Sequence, residues 1–118
     1  MKIIDGAGRF TAPEGSDGNH WAEHFRVADL SVGTYSIPAA GVDDQEPHTE
    51  DEIYVVTAGH GVLVAGGQRA EVGPGTVAFV PAGEEHRFTE VTEDLTLLVV
   101  FAPAYGSRTG GAGAAAHA

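Results

Sequence analysis

The residues best suited to chemistry lie in two short segments, each holding one central histidine close to carboxylates. The first, Gly41–Gly59, reads GVDDQEPHTEDEIYVVTAG, and the second, Gly75–Glu90, reads GTVAFVPAGEEHRFTE. In an extended chain alternate side chains share a face, so Glu46, His48, Glu50, Glu52, Tyr54 and Val56 line up together. That face begins with groups able to ligate a metal and continues into apolar ones, as expected of a strand entering a barrel at its mouth. In the second segment Val77, Phe79 and Pro81 lead into a Pro-Ala-Gly turn. The turn reverses the chain, so that His86 opens the next strand and approaches the first segment. One histidine from each segment plus a carboxylate makes a two-His, one-carboxylate set, which suits iron(II), manganese(II) and related divalent ions. With no cysteine in the chain, thiolate ligands, a cysteine nucleophile and disulfides are all excluded.

The elements that must position these groups read as short strands. Apolar runs rich in Val, Ile, Phe and Tyr occupy Leu30–Ile37, Ile53–Thr57, Val62–Ala65, Gln68–Val72, Thr76–Val80, His86–Thr89 and Leu95–Phe101. Gly59-His60-Gly61, Gly66-Gly67 and Gly73-Pro74-Gly75 separate them as hairpin and turn signals. Only Asn19–Phe25 has the makings of a helical turn. Many short antiparallel strands around one core predict an all-β jelly roll or barrel. At 118 residues the chain fits one domain, over residues 1–105. Residues 106–118, GSRTGGAGAAAHA, are too rich in Gly and Ala to bury much surface and predict a disordered tail, which leaves His117 no role.

Charge narrows the partners. Six basic residues against seventeen acidic ones give a net charge of −11, which disfavours nucleic acid. No apolar run reaches the length of a membrane-spanning helix, and residues 1–20 lack the apolar region of a signal peptide, so a cytoplasmic protein is expected.

The two segments resemble the paired sequence motifs of the cupin superfamily. The first motif of that family runs Gly, five residues, His-x-His, three or four residues, Glu, six residues, Gly. Here Glu46-x-His48, then Glu52, then Gly59 follow that spacing, with four residues rather than five between Gly41 and Glu46. The second motif runs Gly, five residues, Pro-x-Gly, two residues, His, three residues, Asn. Gly75, Pro81, Gly83 and His86 match it, and Glu90 stands where the family has Asn. The resemblance implies a small double-stranded β-helix barrel with His48, Glu52 and His86 as metal ligands. Glu46 carries over by position alone, as a fourth ligand, as a general base or as a mouth residue with no role.

The same resemblance implies one divalent ion, iron(II) or manganese(II) first and zinc(II) or nickel(II) as alternatives. It also implies an enzyme acting on a small organic molecule, dioxygenase-type first, with isomerase, lyase, decarboxylase and cyclase chemistry also represented in the family. A non-catalytic binding or sensor barrel is the alternative, motivated by the missing first histidine. Tyr54, Phe79 and Phe88 are candidates to line the pocket. His20 and His24 flank Trp21 as a lid or, more simply, as packing for the N-terminal segment, and His60 is expected at an exposed tip. Cupins of this size are commonly homodimers, and residues 1–10, MKIIDGAGRF, suit an exchanged N-terminal strand.

Overall fold

The computed structural model describes residues 1–14, 18–43 and 45–109. Six strands follow in chain order: β1 (His20–Val27), β2 (Leu30–Ile37), β3 (Asp51–Ala65), β4 (Gln68–Val72), β5 (Val77–Val80) and β6 (His86–Ala102). All pairings are antiparallel. The order across the sheet is β1-β2-β6-β3-β4, with β5 also on β3. Among the described residues no helix is long and apolar enough to cross a membrane.

Two long strands organise everything else. The first half of β3 pairs with the second half of β6 and with β5, while its second half pairs with the start of β6 and with β4. Between Val56 and Val62 the β3–β6 register shifts three times. Such bulges bend a strand pair sharply, and here they let two continuous strands serve both walls of the barrel. Gly59-His60-Gly61, expected as a hairpin, is therefore the corner of an unbroken strand. Gly59 makes the corner feasible: it has φ +87°, and a Cβ there would lie 2.2 Å from the Asp94 carbonyl oxygen. His60 is exposed, as expected, and pairs with Glu93 at 3.0 Å.

The segment Asn19–Phe25 is strand rather than helix, because its tryptophan has a sheet partner. Trp21 lies across Gly33 on β2, where a Cβ would meet the indole ring at 2.2 Å. Its ring then packs edge-on against Phe101 and Tyr105. The core comprises Tyr35, Ile37, Tyr54, Val56, Leu63, Val72, Val80, Phe88, Val91, Leu95, Leu97, Val99, Phe101 and Tyr105. On β3 and the second half of β6 these core residues alternate with half-buried ones such as Ile53, Val55, Leu98 and Val100 on the outward face. The N-terminal segment crosses that outward face of its own chain. Gly8 N–H donates to Thr34 Oγ1, Thr57 Oγ1 donates to the Gly8 carbonyl, and Thr11 N–H donates to Ser36 Oγ.

The described residues continue past Tyr105 to Thr109. Ser107–Thr109 form a single 3-10 turn, and the backbone N–H groups of Gly106 and Arg108 donate to Glu50 at 3.0 and 3.1 Å. Residues 110–118, including His117, lie outside the described residues.

Candidate metal centre

Three side chains from the two motifs meet inside the barrel. His48 precedes β3, Glu52 is its second residue, and His86 is the first residue of β6. One ligand atom from each lies within 4.8 Å of the others, and all three residues are buried. The turn carrying His86 is fastened to the first motif: Gly83 N–H donates to the His48 carbonyl at 2.8 Å, and Ala82 N–H to Asp51 Oδ1 at 2.9 Å. The two histidine rings stand with centroids 5.1 Å apart. His48 is wedged edge-on against Phe101 and Tyr105, so packing limits its rotamers before any ion arrives.

The polar atoms of this cluster do not satisfy one another. His86 Nδ1 lies 2.9 Å from the Glu84 carbonyl. A carbonyl only accepts, so Nδ1 carries the hydrogen and Nε2 of the neutral ring presents a lone pair. That lone pair faces Glu52 Oε1 at 3.1 Å, yet among the described residues neither that nitrogen nor either Glu52 oxygen has an aligned hydrogen bond. Buried unpaired carboxylates are expensive. The site has two remedies, a proton or a cation. Burial pushes the Glu52 carboxyl above its ordinary range, against the pull of His86. Burial lowers the pKa of His86, but Glu52 and the Glu84 carbonyl outweigh it and raise the value overall. Both shifts make proton loss from the pair harder than from the free side chains. The donor set, two imidazoles and a carboxylate with orphaned lone pairs, fits a divalent ion, which would compete with protons for those lone pairs.

Glu46 is not part of this cluster. It is exposed, on the wall of an open cavity of about 470 Å³ that also touches Gln45, Ala65, Glu85, His86 and Arg87. The alternation expected over residues 46–56 holds from His48 onward, with Glu50, Glu52, Tyr54 and Val56 buried. It fails at Glu46, because Pro47 restricts the residue before it and regular strand begins only at Asp51. Gln45 turns inward instead, and its Oε1 lies 3.0 Å from His48 Nε2. The single-residue shortfall after Gly41 was the available signal for this displacement.

Glu50, on the same face in the sequence, is 1% exposed. Its carboxylate accepts from the backbone of the C-terminal segment, at Gly106 and Arg108. Burial raises its pKa, but hydrogen bonds from Thr49 and from the Gly106 and Arg108 backbone outweigh this and leave it below the ordinary carboxylate value.

Of the expected lining residues, Tyr54 and Phe88 are buried behind the cluster, packed edge-on with centroids 4.9 Å apart. Phe79 is a correction: it is 59% exposed. Val80 pairs with the inward Glu52 and Phe79 with the outward Ile53, so Phe79 points away from the interior. His20 and His24 stand apart from the cluster, bonded to Thr11 and Thr34 respectively, both at 2.6 Å. They serve the packing of the N-terminal segment and β1.

Comparison with known proteins agrees with this architecture. The family model described as "Cupin domain" matches residues 33–101. An uncharacterized protein of Streptomyces coelicolor is 40% identical over 83 residues, covering 70% of this chain and 79% of that protein. The acireductone dioxygenase of Geobacillus thermodenitrificans is 42% identical over 48 residues, which is 36% of this chain and 27% of the enzyme. The crystal structure of TT1209 from Thermus thermophilus superposes with a TM-score of 0.69 at 25% identity, covering 88% of this chain and 97% of that one. The matched motifs, the bent two-strand barrel and the histidine–carboxylate cluster inside it place this chain in the cupin family.

Proposed function

We propose that the protein is a divalent-metal enzyme acting on a small polar organic molecule, dioxygenase-type, with iron(II) or manganese(II) held by His48, Glu52 and His86. The observation that carries this reading is the set of buried, unpartnered donor atoms on Glu52 and His86. A bound ion supplies Lewis acidity and, for iron, redox chemistry. The cavity beside His86, about 470 Å³, falls in the range of small-molecule sites. Its charged walls, with Glu46, Glu85 and Arg87, favour a polar occupant. Tyr54 stays a hydrogen donor at neutral pH, because burial and then the charge of Glu52 hold its pKa well above the ordinary value. Glu46, on the cavity wall, would accept a proton from a molecule bound there. The partial match to an acireductone dioxygenase supports the choice of oxygen chemistry.

Elemental analysis of untagged protein tests the reading. One equivalent of metal is expected, lost in His48→Ala and His86→Ala, with oxygen uptake on a panel of small oxygen-rich molecules that chelation abolishes. Absence of stoichiometric metal, together with ligand binding that survives chelation, would establish a non-catalytic binding barrel instead.

A further inference from the structure

We infer that Gln45 supplies a fourth ligand oxygen to the ion, and that Asp43 positions it by fixing which end of the amide faces the site. This rests on the metal reading above. Gln45 is buried, and its two amide atoms have partners of opposite kind. Its Nε2 donates to Asp43 Oδ2 at 2.7 Å. Its Oε1 faces His48 Nε2 at 3.0 Å and accepts from the Tyr54 hydroxyl at 3.2 Å. A flip of the amide would set oxygen against the Asp43 carboxylate and the NH2 group against the ring nitrogen.

Asp43 cannot turn away to accommodate such a flip. The Tyr35 hydroxyl donates to its Oδ1 at 2.8 Å, and the Phe88 backbone N–H donates to its Oδ2 at 2.7 Å. A carboxylate only accepts, so this buried network admits one amide orientation, with oxygen toward the site.

The consequence follows from His48. In the metal-free protein its Nε2 donates a hydrogen to Gln45 Oε1. The same nitrogen is the one that faces Glu52 Oε1, at 3.9 Å. Once Nε2 gives up its proton to hold an ion, two lone pairs confront each other across 3.0 Å. A cation shared by nitrogen and oxygen relieves that confrontation. Neutral amide oxygen is an ordinary ligand for hard divalent ions. The site then has two imidazoles, one carboxylate and one amide, and its fourth position is filled from residue 45 rather than from residue 46.

The chain has only two glutamines, Gln45 and Gln68, so their side-chain carbonyl carbons are resolvable by NMR. Zinc(II), a diamagnetic probe, is titrated into labelled wild-type protein. Coordination moves the Gln45 carbonyl carbon downfield, whereas mere loss of the His48 hydrogen bond moves it upfield. In parallel, Gln45→Leu is expected to lower manganese(II) affinity about 10–100-fold, measured by chelator competition. An upfield or absent Gln45 shift, with His48 and His86 resonances responding to zinc, overturns the assignment and leaves the three-residue site standing. No response from either histidine overturns the metal reading itself. The wild-type titration decides the matter even if Gln45→Leu does not fold.

Discussion

Glu52→Gln is expected to make the metal-free protein more stable and the metal-loaded protein less so. In the absence of an ion, both Glu52 oxygens and His86 Nε2 are buried without hydrogen bonds. The glutamine amide is almost the same shape, removes the buried charge, and can donate an N–H to the Nε2 lone pair that the His86–Glu84 bond leaves facing it. Relief of one unsatisfied buried charge and one unsatisfied acceptor is worth about 1–3 kcal/mol. For a domain of this size each kcal/mol moves the melting temperature by roughly 4 °C, so a rise of about 4–12 °C is expected with chelator present. With manganese(II) at about a hundred times Kd, the wild type gains about 2.7 kcal/mol, and the variant, having lost its anionic ligand, gains little. Thermal melts by circular dichroism at pH 8 should therefore cross over between chelator and metal. A variant that melts below wild type in chelator would refute the reasoning, because it would mean that Glu52 is already satisfied without an ion.

The same pair sets a pH dependence. His86 holds its proton above the ordinary value of 6.5, so its contribution to metal-free stability is present below that pH and lost as pH rises through the raised value. The advantage of Glu52→Gln in chelator should accordingly grow as pH rises above 6.5; an advantage that shrinks as pH rises refutes the raised His86 value. Glu50→Ala removes the acceptor for Gly106 and Arg108 N–H and should cost about 2–4 kcal/mol, with faster hydrogen exchange at those two amides; unchanged exchange would show that Glu50 does not hold the segment. Glu90 has φ +50°, a left-handed conformation that asparagine tolerates better. Glu90→Asn should stabilise by up to about 1 kcal/mol even after losing its exposed ion pair with Arg69, and a lower urea midpoint would contradict this. Val77 and Phe79 are exposed apolar residues on β5, beside the half-buried Ile53 and Val55. Light scattering is expected to find a homodimer that Phe79→Glu weakens, and a wild-type monomer would refute it.

Much of this molecule is legible in the sequence where one rule acts alone. Strands β2 and β4 have the residue limits that their apolar runs and flanking turns imply. The alternation within β3 buries Glu52, Tyr54 and Val56 on one face because the strand there is regular. Prediction fails where tertiary contacts choose between local options. Gly59-His60-Gly61 carries hairpin residues, but its glycine is required by the close passage of the Asp94 carbonyl, a contact invisible to local patterning. Trp21 turns a would-be helix into strand by covering Gly33, which is distant along the chain. Gln45 is not legible in the sequence because Pro47, between it and His48, breaks the period.

The fastening of the Pro81–Gly83 turn to His48 and Asp51 bears on how fast the site can load. Its ligands come from two distant stretches of chain, yet hydrogen bonds from Gly83 and Ala82 already tie those stretches together without an ion. Little backbone ordering then remains to accompany metal capture, so the uptake rate should track the water-exchange rate of the incoming ion rather than any rearrangement of the protein. Ions of similar affinity would then load at very different speeds, and the metal found in freshly made protein would reflect which ion sheds water fastest as well as which binds tightest.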